Sequence, residues 1–501
     1  MTLVTELDLP ELDLGDPSLV GDGFHDKLKS VRNDGWLARS PLAFLVLDRA
    51  GGEVFLRSRS TAFPGRQLAA LFGITSGPLF DHIDANILNL ESERHRRLRG
   101  IVSREFSPAA ADRWRPTMQE ILDRCWSELG ASGHAEFVEA IAKPYPALTI
   151  AAVLGAPAED APRLHRWSSW VQRQFDVKAL STDLVQIEAA VIEVNEYVEA
   201  LLASSTASTD SSLLTSLLNA EADGERLSHR ECMNLVVNVL AGAIDTTQSQ
   251  LSHAIHLFAT HPEQWSDLVS STELAPAAVT EVLRMEPVAP FTARICVEDV
   301  ECHGVVFPAG TIVAICAERA NREVEMGESF DIAARRESRP LTFGAGPHYC
   351  LGANLARAEL EEALAFLAPR MPALELDGTP TFGGIEASTA SRRSRCVGLR
   401  SCDRERLVRR APLGAETVPE RWLPMVAPLL ADPTSRTAWG LTRPARRDHC
   451  DDASTGPASQ RGATAHQEHP DGGGDRRRRS HQASSQIGSA PAGAPGSSAK
   501  R

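Results

Sequence analysis

The chain has 501 residues, 43% of them hydrophobic and 24% charged, with a formal net charge of −14 at pH 7. That balance describes a soluble globular protein and gives no overall positive charge with which to hold nucleic acid. Nine cysteines, scattered and without a Cys-x-x-Cys pair, suit a reducing cytosol and exclude an obvious zinc or iron–sulfur site.

Along the chain, Met1–Asp16 is acidic and no early segment approaches eighteen apolar residues. The expectation is therefore no signal peptide and no membrane anchor, and a cytoplasmic location. Short β-like runs occupy Ala43–Leu47, Glu53–Leu56 and Val305–Ile315. Helix-like stretches cover Met118–Leu129, Ala147–Leu154, Leu184–Leu202 and Cys232–Ala259. The fold class read from this is mainly α with a minor β region. In His95-Arg96-Arg97-Leu98-Arg99 the i, i+4 spacing puts His95 and Arg99 on one helical face. Ser228-His229-Arg230-Glu231 is a capping box, and no proline follows until Pro262, so a helix of roughly 50 Å can start there. Its middle reads Gly242-Ala243-Ile244-Asp245-Thr246-Thr247. On its own that segment reads equally as a functional site or as a polar break whose hydroxyls bond back to carbonyls. Glu281 and Arg284, three apart, share a helical face.

The densest signal is Phe343-Gly344-Ala345-Gly346-Pro347-His348-Tyr349-Cys350-Leu351-Gly352, followed by a helix over Asn354–Leu364. The glycines permit tight turns and close backbone approach. A helix starting just after Cys350 aims N–H groups at the sulfur and favours its thiolate. A lone buried cysteine would carry no such meaning. Here Phe343, the three glycines, His348 and Cys350 together resemble the haem-binding loop of the cytochrome P450 family. The resemblance implies a cytochrome P450 fold in a single haem domain, with haem b bound by the Cys350 thiolate. It implies that Gly352 leaves room for the ring and that His95, Arg99, Arg294 and His348 hold the propionates. Asp245 and Thr246 resemble the family's acid–alcohol pair, which handles protons at the distal face. Glu281-Val282-Leu283-Arg284 resembles its Glu-x-x-Arg helix, with either Arg335 or Arg336 as third partner.

The activity implied is monooxygenation: one atom of O₂ enters a C–H or C=C bond of an apolar organic substrate. Electrons would come from separate proteins, a ferredoxin and its reductase, since no Gly-x-Gly-x-x-Gly follows a strand. Competing readings are a peroxide-driven peroxygenase and a haem-binding protein without turnover; the Asp245-Thr246 pair favours O₂. Pocket walls are expected from Phe72–Leu88, Trp170–Leu184, Leu240–Ala243 and Val288–Thr292, with Phe291 among the apolar contacts. Electron donors would dock around His348 and Arg357.

Composition changes after Glu386. Residues 387–501 contain no Phe or Tyr, and 19 Arg with one Lys face 11 acidic residues, a net of +9. The expectation is a haem domain over 1–386 and a disordered C-terminal tail over 387–501. The family's usual ending resembles Gly-Ile-Tyr-Gly-Leu-x-x-Leu-Pro-Val-Arg, whereas the chain reads Glu386-Ala387-Ser388-Thr389-Ala390-Ser391-Arg392-Arg393. With codons chosen to suit, one added G after the Glu386 codon converts the downstream residues into Gly-Ile-Tyr-Gly-Leu-Ala-Ala-Leu-Pro-Val. A one-base deletion is thus the expected origin of the tail.

Overall fold

The computed structural model describes residues 1–16, 18–129, 134–204, 212–222, 227–382 and 394–395. The principal helices are α1 (Gly21–Asp34), α2 (Arg49–Arg57), α3 (Ser92–Val102), α4 (Arg115–Glu128), α5 (Pro144–Leu154), α6 (Ala161–Gln172), α7 (Leu184–Ser204), α8 (His229–Thr260), α9 (Ala275–Met285) and α10 (Ala353–Leu367). Strands are β1 (Thr2–Leu3), β2 (Leu37–Arg39), β3 (Phe44–Val46), β4 (Thr61–Ala62), β5 (Phe291–Cys296), β6 (Val300–Cys302), β7 (Val305–Phe307), β8 (Ile312–Cys316), β9 (Thr381–Phe382) and β10 (Ser394–Arg395).

The long helix α8 organises the interior. Its start is the capping box: Ser228 Oγ accepts from Glu231 N at 3.3 Å, and Glu231 Oε2 accepts from Ser228 N at 3.1 Å. Two orphan N–H groups are thereby satisfied where the helix enters the core. From Cys232 to Phe258 most of its side chains are buried, and these include the polar Asp245, Thr247, Ser249, Gln250, Ser252 and His253 beside the apolar majority. Helices α5, α6, α7, α9 and α10 pack around it and share one hydrophobic core with it.

A five-stranded sheet, ordered β2-β3-β8-β5-β4, forms the minor β region. Only β3 and β8 run parallel within it; the register places Arg294 opposite Val313 on β5 and β8. A three-stranded sheet, ordered β1-β7-β6, packs against it through a shared cluster that includes Val46, Phe307 and Ile315.

Two local expectations need correction. Glu53–Leu56 is helical, inside α2, because the Asp48 carboxylate caps the helix by accepting from Gly51 N. Its buried residues are Gly51, Gly52, Phe55 and Leu56, an i, i+4 pairing that short-range alternation hides. A Cβ on Gly52 would lie 2.8 Å from Ile315 Cγ2, so the helix sits directly on the sheet. Val305–Ile315 is two strands rather than one, divided by a turn in which Gly310 takes φ +90°.

The expected boundary after Glu386, and the expected disorder of 387–501, lie outside the described residues apart from β10. That strand pairs antiparallel with β9, with Ser394 opposite Phe382.

Candidate active site

A cavity of about 350 Å³ opens between α8 and the loop that precedes α10. Cys350 lies on it, deep in the protein yet with its surface open to the cavity. The loop is held by local bonds: Cys350 N donates to Phe343 O at 2.9 Å and Tyr349 N to Gly346 O at 3.1 Å. Gly344 and Gly346 take φ of +72° and +71°. At Gly346 the reason is also steric, since a Cβ there would stand 2.5 Å from Leu56 O. At Gly352, the residue before α10, a Cβ would meet no protein atom within 4 Å. Burial pushes the Cys350 thiol up; the Gly352 N–H and the Arg99 guanidinium pull it back toward the thiolate.

Cations gather around the same cavity. Arg294, on β5, is 4% exposed, and its Nη1 donates at 2.9 Å to the main-chain oxygen of Ala293. No carboxylate bonds it among the described residues. Burial pulls it down to about 10, with Glu91 opposing. Arg99, on α3, donates to Tyr349 O and so ties that helix to the cysteine loop. His95 is buried, its Nε2 has no hydrogen-bond partner, and burial, then the nearby His348 and Arg99, lower it to about 4. The His95 and His348 rings lie 4.2 Å apart at 35°, and His348 Nε2 stands 3.1 Å from Glu91 Oε1. The structure thus brings Arg99, Arg294, His348, Cys350 and Gly352 to one cavity, with His95 packed against His348 rather than lining it.

This donor set fits a haem. A buried guanidinium and a buried imidazole nitrogen without acidic partners are costly unless an anion completes them. Two propionates would do so, and the Cβ-free space beside Gly352 leaves room for a flat ring above the sulfur.

Opposite the cysteine, α8 presents Ala241, Gly242, Ala243, Asp245, Thr246 and Thr247 to the cavity. Thr246 Oγ1 donates to Gly242 O at 2.7 Å, the back-bond to the preceding turn. Asp245 is 2% exposed, and Ser169 of α6 donates to its Oδ1 at 3.1 Å. Sequence reasoning missed Ser169, because the crossing of α6 on α8 is tertiary and leaves no local signal. It also missed Thr247 and Glu359, which line the same cavity.

The remaining wall includes Phe63, Asn86–Leu88, Phe106, Gln172–Asp176, Leu235, Asn238, Val239, Val288, Ala289 and Thr292. Most fall within the expected segments, but Phe63, Phe106, Leu235, Asn238 and Val239 lie outside them, and Phe291 points away. It packs edge-on to Phe24 at 6.4 Å in a separate core cluster behind the sheet. Strand alternation explains this: Thr292 and Phe291 face opposite sides of β5.

Behind the cysteine loop, Glu281 takes a bidentate bond from Arg284, at 2.8 and 2.7 Å. The third partner is Arg336, whose Nη2 donates to Glu281 Oε1 at 2.8 Å. Arg284 also donates to Ser329 O at 2.7 Å, so the cluster pins the segment leading to the loop.

Comparison with known proteins agrees with this geometry. The family model described as Cytochrome P450 matches residues 166–268 and 264–367. The chain is 35% identical over 382 residues to "Luteothin monooxygenase" of Streptomyces thioluteus, covering 75% of this chain and 92% of that one. It is 34% identical to "Cytochrome P450-pinF1, plant-inducible" of Rhizobium radiobacter, covering 63% and 77%. Among solved structures it is similar to CalO2, with 28% identity and a TM-score of 0.73 over 79% of this chain and 99% of that one. It is also similar to myxobacterial cytochrome P450 CYP267B1 in complex with myristic acid, at 27% identity and a TM-score of 0.69 over 78% and 99%. Helix order, cavity, cysteine loop and relatives converge, and the chain belongs to the cytochrome P450 family, whose cofactor is haem b on a cysteine thiolate.

Proposed function

We propose that this P450-type monooxygenase oxidises a largely apolar organic molecule, by hydroxylation or epoxidation, with electrons from a separate ferredoxin and its reductase. When bound, the haem activates O₂ with two electrons, so that one oxygen atom enters the substrate and the other leaves as water. Cys350 would bind the haem iron through its thiolate. His95, Arg99, Arg294 and His348 would hold the propionates by charge-assisted hydrogen bonds. Arg294 carries this assignment furthest, because its guanidinium is buried against the cavity with only a main-chain oxygen as partner.

Asp245 and Thr246 hold the protons. The Asp245 carboxyl, kept in place by Ser169, is the buried acid that relays protons toward the cavity. The Thr246 hydroxyl passes them into the cavity, giving up its bond to Gly242 O when an acceptor arrives. Val288, Ala289, Leu235 and Val239 give the substrate an apolar wall. His348 turns inward, its side chain 7% exposed, so donor docking is assigned to the surface around Arg357 rather than to His348. Arg357 lies over the Phe343 ring at 5.5 Å and is thereby linked to the cysteine loop.

The first ligand to assay is luteothin, the molecule for which a similar enzyme is named. A shift of the ferric spin state on binding, followed by NAD(P)H-dependent oxidation with a ferredoxin system, is the expected result. Oxidation with peroxide but none with any ferredoxin system would overturn the reading.

A further inference from the structure

Polar side chains along the buried middle of α8 are satisfied in two ways. Ser252 returns its hydroxyl to Gln248 O within the helix, at 2.9 Å. Gln250, 2% exposed, reaches out of the helix instead. Its Nε2 donates to Glu286 O at 2.8 Å, and its Oε1 accepts from Val288 N at 3.0 Å. One donor and one acceptor fix which way the amide points, since a flipped amide would set N–H against N–H and oxygen against oxygen.

Residues 286–290 run without regular structure from the end of α9 to the start of β5. Val288 and Ala289, within that segment, line the cavity. The ends are tied to neighbouring elements: Glu286 N donates to Val282 O at 2.8 Å, and Pro290 O accepts from Ala317 N at 2.8 Å. Glu286 is also held from α1, with its Oε1 2.8 Å from His25 Nε2. Between those ends the main chain is met from α8, by Gln250. A helix or strand satisfies its main chain by its own ladder, whereas an irregular buried segment needs side chains to do so. Thr246, which lines the same cavity, stands four residues before Gln250, so the two share a face of α8.

We infer that Gln250 is a positioning residue for the substrate: it locks the wall at Val288 and Ala289 to the turn of α8 that carries Thr246. Substrate and proton-handling groups thereby keep one fixed separation. The inference deepens the monooxygenase reading and rests on it. Gln250 lies behind the cavity lining rather than in it, and so acts through Val288 and Ala289. With the bridge in place the wall is ordered before a ligand arrives. Without it, ligand binding must supply that ordering, and affinity falls.

The test uses the haem-loaded full chain and two variants. Gln250→Met keeps the length of the side chain and loses both hydrogen bonds; Gln250→Glu keeps the acceptor for Val288 N. The first measurement is amide hydrogen exchange. In Gln250→Met, exchange is expected to quicken at residues 286–290 while the amides of α8 and β5 keep their wild-type rates. Unchanged exchange at 286–290, or quickening spread over the whole chain, would overturn the inference. The second measurement is the binding of two haem-iron ligands, followed by absorption. Imidazole is too small to reach the wall and should bind every variant equally. The phenyl ring of 4-phenylimidazole extends into the cavity, and this ligand should bind Gln250→Met about tenfold more weakly than the wild type, with Gln250→Glu in between. Equal losses for both ligands, or no loss for either, would overturn the inference. Should Gln250→Met fail to take up haem, Gln250→Glu carries both measurements. Neither depends on turnover. A wild type that binds both azoles but oxidises nothing with a ferredoxin system would sink the monooxygenase reading, while exchange at 286–290 still decides the bridge.

Discussion

His82 shows how much a single buried group can fix. It is 3% exposed and burial alone pushes its imidazole down to about 4. The folded protein therefore holds it neutral, while the unfolded chain protonates it near 6.5. Stability from this group is fully present above pH 6.5 and is lost as pH falls toward 4, by about 3 kcal/mol in all. Chemical denaturation at pH 7 and pH 4.5 should show that slope, and His82→Gln should flatten it. An unchanged slope in the variant would place the acid sensitivity elsewhere. Arg294 makes the opposite case. Arg294→Leu should leave the haem-free protein folded but weaken haem retention by roughly tenfold to a hundredfold, since hydrogen bonds to charged groups contribute about 1.5–3 kcal/mol. Haem transfer to an apo-globin measures this; equal retention would remove Arg294 from the propionate site. The two residues are unequally legible in sequence: Arg294 stands in a family position, whereas nothing around His82 announces its burial.

At the scale of elements, legibility follows the range of the interactions. The start of α8 is readable because a capping box is local: Ser228 and Glu231 are three apart and meet in the structure. The cysteine loop is readable because glycine positions and the helix start are also local. Glu53–Leu56 defeats a local reading because its burial comes from lying on the sheet, under Ile315. Phe291 is misplaced for a similar reason, since which face of β5 meets the cavity depends on the pairing with β8. Arg335 and Arg336 are adjacent, and only the folded path of the segment gives Glu281 to Arg336. That cluster yields a prediction. Glu281→Gln leaves Arg284 buried with less charge to meet, and breaking such a pair costs about 3–5 kcal/mol. Thermal unfolding should fall accordingly and haem uptake with it, whereas Arg335→Ala should leave both near the wild type. An Arg335 effect equal to that of Arg336→Ala would contradict the observed pairing.

For the whole molecule, the family fold accounts for the described residues up to β9, and no helix among them is long and apolar enough to cross a membrane. That residues 387–501 are an out-of-frame extension remains a proposal, carried by their Arg-rich, aromatic-poor composition. Limited proteolysis should trim the chain back toward Glu386, and a one-base insertion after that codon should give a shorter protein with tighter ligand binding. A resistant fragment containing Trp422 and Trp439 would refute this. Everything else turns on one proposed bond, from the Cys350 thiolate to a haem iron. Its most direct test is the absorption spectrum of the reduced, carbon-monoxide-bound protein, wild type against Cys350→Ser. The thiolate-type band is expected in the wild type and should be lost in the variant with haem still bound. The same band in both proteins would contradict the assignment of Cys350.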